Sequence, residues 1–191
     1  MSKSLIEDKV YEKLNFKEQE LEKGDYENCT FVNCIFAGAN ISGINFASCT
    51  FKNCDMTMVK LGKTAMRNVS FKSCKLMGLP FDNCNEFLFS VDFEDCILNL
   101  SSFYKVNLKK TKFRNCKLHE ADFSRADLNG AVFDNCDLMG TMFDNTVLES
   151  ADLRSAYNYS IDPEKNRIKK AKFSLRGIAG LLDKYAIEIE Y

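Results

Sequence analysis

The chain has 191 residues, a length typical of a single domain. Its formal net charge of −1 at pH 7 favours neither an anionic nor a cationic partner, and it contains nine cysteines, one histidine and no tryptophan. The single histidine, His119, is expected at the surface, and no glycine-rich phosphate-binding motif is present. We therefore expect a protein that is not an enzyme and that needs no cofactor.

The first 15 residues are predicted to form an N-terminal cap. They contain several acidic residues and no apolar run, so neither a signal peptide nor a transmembrane segment is indicated. The expected location is the cytoplasm. Ile6 and Tyr11 already follow the apolar spacing of the next segment, so the repeat can begin before residue 16.

Residues 16–173 are predicted to form the repeat. An apolar residue stands at every fifth position up to Leu153, apart from one slip of two residues, and Ile168 and Phe173 return to this spacing after a loop. Within this segment, a Phe followed three residues later by Cys recurs every 20 residues, apart from one step of 22, at Phe31, Phe51, Phe71, Phe93, Phe113 and Phe133. A period of five fits neither an α-helix nor a flat strand, and indicates a chain that turns a corner every five residues. Four corners make a square coil, and coils stack about 4.8 Å apart. The pattern predicts a solenoid of about seven coils, roughly 33 Å long.

The cysteines all fall at a small inward position of the repeat: Cys29, Cys34, Cys49, Cys54, Cys74, Cys84, Cys96, Cys116 and Cys136. Burial as small hydrophobic side chains is the preferred interpretation. A metal site is the first alternative, although the CxxC spacing typical of such sites is absent. An oxidation-prone ladder is the second, because stacked coils bring cysteines within disulfide range, but a reducing cytoplasm disfavours it.

The five-residue spacing is interrupted at residues 84–92, which are unusually apolar around Phe87, Leu88 and Phe89. We expect a small bulge or bent corner, because a bulge within one coil keeps six of the cysteines in a single column. We interpret the break as an insertion of two residues after which the spacing resumes; a functional loop is the alternative.

The repeat resembles the pentapeptide-repeat family, whose unit is written A(D/N)LXX. The closest matches are the fives that begin at Ala121, Ala126 and Ala151, and the resemblance covers roughly residues 14–173. It implies a right-handed quadrilateral β-helix, an all-β solenoid with a short C-terminal helix.

The C-terminal segment, residues 174–191, is predicted to form a helix capped by Ser174 and then a strand. The apolar positions are Ile178, Leu181, Leu182 and Tyr185 on the helix, and Ile187 and Ile189 on the strand. This tail resembles the C-terminal end of the Qnr-type quinolone-resistance subfamily, which dimerises there. We expect a homodimer through these six residues.

Charge is distributed unevenly along the repeat. Residues 118–154 contain eight acids and two bases, a local balance of −6. Seven of these acids, named here the acidic belt, are candidate partner-binding residues: Asp122, Asp127, Asp134, Asp137, Asp144, Glu149 and Asp152. Residues 104–117 and 52–75 are basic, but acidic stretches separate them, so direct nucleic-acid binding is not expected.

Two hypotheses for function remain from the sequence. Qnr-type proteins resemble B-DNA and bind type II topoisomerases, so the resemblance implies a DNA-mimicking dimer that binds DNA gyrase or topoisomerase IV. The alternative is a structural or interaction scaffold with an unidentified protein partner. It is favoured because Asp side chains at this position of the repeat commonly hydrogen-bond the backbone at a turn. Opposite charges at Glu94, Arg114, Asp134 and Arg154 are also expected to stack and cancel as a ladder on one face.

Overall fold

The computed structural model describes residues 4–190, which form a parallel β-solenoid of about 7 turns. The strands are β1 (Ser4–Glu7), β2 (Val10–Glu12), β3 (Gly24–Glu27), β4 (Thr30–Val32), β5 (Asn45–Ala47), β6 (Thr50–Lys52), β7 (Ala65–Arg67), β8 (Val69–Lys72), β9 (Val91–Glu94), β10 (Lys112–Arg114) and β11 (Val132–Asp134). Short 3₁₀ helices span Phe81–Asn83, Leu175–Leu181 and Asp183–Tyr185. The predicted β-helix of pentapeptide repeats is confirmed.

Each turn has four faces. Face 1 is a seven-stranded sheet ordered β2-β4-β6-β8-β9-β10-β11, and all its strand pairs are parallel. Face 2 is a column of isolated bridges that begins at Asn15, and face 3 is a similar column that begins at Asn40. Face 4 is the four-stranded sheet β1-β3-β5-β7, continued by bridges from Asn107 onward. The short strands leave the corners free to turn, as the period of five requires.

Aromatic columns fill the axis of the solenoid. On face 1, the rings of Phe113 and Phe133 stack with centroids 4.8 Å apart, and those of Phe31 and Phe51 stack at 4.7 Å. All of these rings are fully buried. The spacing equals the distance between stacked strands, so identical side chains in successive coils pack directly on one another.

The corners use left-handed backbone. The residue two positions after a buried centre often has a positive φ, for example Asn33 at 54°, Asn115 at 51° and Gly130 at 67°. Asn and Gly adopt this region more readily than other residues, which explains why they recur there.

The solenoid begins inside the segment assigned from sequence to an N-terminal cap, residues 1–15. Strand β1 pairs with β3 and β2 with β4, in the same 20-residue register as later coils. Ile6 lies opposite Tyr26, and Tyr11 lies opposite Phe31. The cap boundary at residue 15 is therefore wrong for residues 4–15, because their apolar centres continue the axis. The first three residues of that cap, and Tyr191 of the C-terminal segment, lie outside the described residues.

The break at 84–92 lies within one coil. Phe71 pairs with Phe93 and Lys75 with Ile97, so faces 1 and 2 pass the break in register. The two extra residues are accommodated on face 4.

Eight of the nine cysteines are buried, as expected from the inward position, and Cys84 beside the bulge is half-buried. Their thiols donate to backbone carbonyls, such as Cys136 Sγ to the Phe113 oxygen at 3.4 Å. Burial raises the pKa of the Cys49 thiol to about 11 and that of Cys84 to about 12. Raised pKa values make these thiols poor nucleophiles and poor metal ligands at neutral pH.

The C-terminal segment differs from its prediction. Ser174 does cap the helix, accepting a hydrogen bond from the Gly177 amide at 3.2 Å, but the helical turns are of the 3₁₀ type. The helix packs closely on Tyr159, so a Cβ on Gly177 or Gly180 would overlap that residue. Residues 186–190 form no strand within the single chain, because no neighbouring strand is available to them.

Candidate partner-binding surfaces

The acidic belt wraps the whole solenoid. By coil register, Asp122 and Asp144 lie on face 3, Asp127 and Glu149 on face 4, Asp134 and Asp152 on face 1, and Asp137 on face 2. A partner that approaches a single face therefore meets at most two of these residues.

Four of the seven belt residues form ion pairs, and a fifth lies within hydrogen-bond distance of a histidine. The pairs are Asp127 with Lys109 at 3.1 Å, Asp134 with Arg114 at 3.6 Å, Glu149 with Arg167 at 2.7 Å, and Asp152 with Arg154 at 2.7 Å; Asp137 lies 2.8 Å from His119. Most of these partners lie 18 or 20 residues away, in the adjacent coil. This spacing is the sequence signal that could have revealed the neutralised carboxylates.

Asp137 has a structural role at the corner next to face 2. Its carboxylate accepts hydrogen bonds from Asn158 at 2.9 Å and from the Met139 amide at 3.3 Å, besides its contact with His119. Burial raises the pKa of this carboxyl group, but the hydrogen bonds from His119 and Asn158 outweigh it, so the pKa is lowered. The expectation that His119 is a simple surface residue is wrong, since 24% of its side chain is exposed and it binds Asp137.

Asp152 is held by cations on face 1. The Arg154 guanidinium donates two hydrogen bonds to it, at 3.0 and 2.7 Å, and Lys172 lies 3.9 Å away. Hydrogen bonds from Arg154, with the nearby Lys172 charge, lower the pKa of the Asp152 carboxyl group. The predicted charge ladder is confirmed from Glu94 to Asp134 by distances of 3.3 and 3.6 Å, but Arg154 turns to Asp152 instead of extending it.

Face 3 retains carboxylates without an ion pair within the described residues. These are Asp122, Asp144 and the neighbouring Glu120, named here the face-3 acidic patch. Asp122 accepts a hydrogen bond from the Ser124 amide at 2.8 Å, and Asp144 accepts one from the Asn145 side chain at 2.9 Å. Such bonds orient the carboxylates without cancelling their charge, so this patch carries most of the residual negative field of the belt.

The predicted dimerisation residues lie beyond the last coil. Ile178, Tyr185, Ile187 and Ile189 are exposed, between 41% and 55%, whereas Leu181 and Leu182 are half-buried. The tail itself is anchored: the Ile161 amide donates to the Gly180 carbonyl at 2.9 Å, and Lys184 lies 2.8 Å from Asp162. The exposed apolar side chains are thus presented on a fixed support.

Within residues 4–190, no group of His, Cys, Asp or Glu side chains is arranged to hold a metal ion. In the same part of the chain, no helix has the length and apolar character needed to cross a membrane. Phe and Leu side chains fill the axis throughout the described part of the chain.

These features define a parallel β-solenoid with a filled axis and outward-facing polar side chains. The pentapeptide repeat region model matches residues 24–87 and 86–161, so the chain belongs to the pentapeptide-repeat family. A search of curated protein sequences finds no match.

Solved structures share this architecture. A trypsin-treated variant of QnrB1, a plasmid-mediated fluoroquinolone resistance protein, is 17% identical with a TM-score of 0.63, covering 95% of this chain and 99% of that one. HetL, a pentapeptide repeat protein involved in heterocyst differentiation regulation in the cyanobacterium Nostoc sp. strain PCC 7120, is 14% identical with a TM-score of 0.54. That alignment covers 90% of this chain and 88% of HetL. Identities this low establish the shared fold alone.

Proposed function

We propose that this chain is a non-catalytic, protein-binding rod of the cytoplasm, and that its partner is a type II topoisomerase, DNA gyrase or topoisomerase IV. Binding would change supercoiling or quinolone sensitivity. The observation that carries the proposal is a narrow rod with unpaired carboxylates on one face, close to an end suited to dimerisation. The shared fold of QnrB1, a fluoroquinolone resistance protein, supports the choice of partner.

The mechanism is mimicry of duplex DNA by shape and charge. Duplex DNA presents regularly spaced negative charge along a rod, which DNA-binding enzymes meet with a cationic groove. Asp122 and Asp144 lie in successive coils on face 3, and Glu120 lies at its corner. Because four belt residues form ion pairs within the chain and Asp137 is held by hydrogen bonds, we assign the interaction to the face-3 acidic patch rather than to the whole belt.

Dimerisation would double the length of the rod. A two-fold contact through Ile178, Tyr185, Ile187 and Ile189 would cover their exposed apolar surface, and residues 186–190 would be free to pair as strands with the partner copy. It would also place two face-3 patches on the same particle, one on each side of the contact.

The alternative function is a scaffold for a different protein partner. The internal pairing of Asp127, Asp134, Asp137, Glu149 and Asp152 favours it, because the belt is then largely ordinary surface stabilisation.

The test is a gyrase supercoiling assay, titrated with the full chain in the presence and absence of a quinolone. The double variant Asp122→Lys with Asp144→Lys should lose the effect, and Glu18→Lys with Glu20→Lys, which makes the same charge change at the other end, should retain it. Asp137 is unsuitable for this purpose because it holds His119 and Asn158. Equal activity of both double variants would exclude mimicry by face 3. No effect of the unmodified chain would leave the scaffold function.

A further inference from the structure

The bulge interrupts the wall of the solenoid on face 4. Bridges join successive coils on this face up to the pair Ala65–Asn85, and resume only at Asn107–Asp127. Between those pairs, among the described residues, no bridge connects Asn85 with Asn107. Faces 1 and 2 continue past the same level without a gap. The two extra residues therefore open one side of a single coil.

Apolar side chains are exposed at this opening. Neighbouring coils bury Met66 and Leu108 at the centre of face 4, but Phe87 and Leu88 in the bulge are 69% and 60% exposed. Leu88 has the left-handed backbone found at the regular corners, with φ of 57°. Two adjacent exposed apolar residues indicate a surface for contact with another molecule.

A cleft of about 900 Å³ lies beside the bulge. Phe81, Cys84 and Phe89 line it towards the axis, and Lys63 and Lys105 line it from the coils on either side. The rings of Phe81 and Phe89 meet edge to face, with centroids 6.3 Å apart, so the inner wall is apolar.

The upper edge of the cleft presents backbone groups without backbone partners. At the equivalent position of other coils, the Asp127 amide donates to the Val106 carbonyl at 3.0 Å, and the Asp127 carbonyl accepts from the Leu108 amide at 2.8 Å. Within the described residues, the Asn107 amide and carbonyl make neither bond. An exposed N–H and C=O in extended backbone can pair with an added strand.

The charges around the cleft favour an acidic occupant. Lys63 and Lys105 line the cleft and form no ion pair within residues 4–190, and the carboxylates Asp82 and Glu86 line it as well. A further cation, Arg67, lies on strand β7, whose Ala65 bridges Asn85, and its Nε is buried without a hydrogen-bond partner in the described chain. Since a nucleic acid would bring a continuous line of phosphates against Asp82 and Glu86, discrete carboxylates on a peptide fit the site better.

We propose that the face-4 cleft binds an extended, acidic segment of a partner protein. The segment pairs its backbone with Asn107, packs an apolar side chain against Phe87 and Leu88, and places carboxylates near Lys63 and Lys105. This surface is independent of the face-3 acidic patch and lies in a different coil, so either can fail without the other.

The probe for the test is a fluorescein-labelled synthetic peptide in which Asp alternates with Leu and Phe, titrated with the full chain by fluorescence anisotropy. The double variant Phe87→Ser with Leu88→Ser should bind about tenfold more weakly, as expected for loss of an interface anchor. The matched control Met58→Ser with Leu100→Ser makes the same change at exposed apolar residues of face 2 and should bind normally. A peptide with Lys in place of Asp should not bind.

Amide hydrogen exchange separates strand pairing from charge attraction alone. Peptide binding should slow exchange of the Asn107 amide, because that group gains an acceptor. Equal binding by the two double variants, or an Asn107 amide that exchanges at an unchanged rate, would overturn the proposal. Displacement of the peptide by a single-stranded oligonucleotide with no protection of Asn107 would overturn it too, and would identify the site as a phosphate-binding patch.

Discussion

Truncation of one buried ring at mid-shaft tests whether the aromatic columns stabilise the solenoid. Phe113 is fully buried and stacks on Phe93 at 5.2 Å and on Phe133 at 4.8 Å, with edge contacts to Phe103 and Phe123 at 6.2 and 5.8 Å. Phe→Ala substitutions in well-packed cores cost about 3–5 kcal/mol. Four aromatic contacts, each worth about 0.5–1.5 kcal/mol beyond burial, place Phe113→Ala at the top of that range.

Phe143 provides the matched control because it lies in the same repeat position with fewer neighbours. It stacks only on Phe123, at 5.6 Å, and is 8% exposed. With three aromatic contacts fewer, Phe143→Ala should cost about 2 kcal/mol less than Phe113→Ala. Urea unfolding followed by far-UV circular dichroism measures both free energies of unfolding. Equal losses, or a larger loss for Phe143→Ala, would refute the idea that stacked rings set local stability.

Two further predictions concern the C-terminal end. Gly180→Ala should lower the free energy of unfolding by about 1–3 kcal/mol, because the added Cβ overlaps Tyr159; thermal unfolding measures the loss, and an unchanged melting temperature would contradict this packing. Asp137→Asn should reduce the fall in the free energy of unfolding as the pH is lowered into the acid range. The pKa of Asp137 is lowered on folding, so its contribution is present above the unfolded pKa of about 3.9 and is lost as pH falls through the folded value. Urea titrations at several pH values measure this dependence. The same fall in the free energy of unfolding with pH for variant and parent would exclude this linkage.

The tail shows why a local pattern was insufficient. Its apolar spacing correctly indicates a helix that begins after Ser174, but the helix is of the 3₁₀ type and packs on Tyr159, which lies 18 and 21 residues before Gly177 and Gly180. The strand predicted after the helix needs a neighbour to pair with, and a single chain supplies none. Propensity therefore identified the segment, and contacts with the last coil decided its geometry.

At the bulge, too, the sequence indicates one part of the structure and tertiary packing decides the other. The 22-residue step between Phe71 and Phe93 revealed an insertion and kept the cysteine column in register. It could not indicate that the extra residues would leave Phe87 and Leu88 outside the wall, because a segment so rich in apolar residues is ordinarily expected to bury them.

The sequence by itself determined the period of five, the inward and outward positions, the filled axis and the family, since each follows from side-chain size repeated at a fixed spacing. Only the tertiary structure decided which charges remain free. Asp137 and Asp122 occupy the same position of the repeat, yet His119 lies 2.8 Å from the first carboxylate and nothing in the described chain forms an ion pair with the second. The reason is physical: an ion pair depends on side chains from adjacent coils meeting within a few ångströms, and local spacing within one coil does not specify which residues meet.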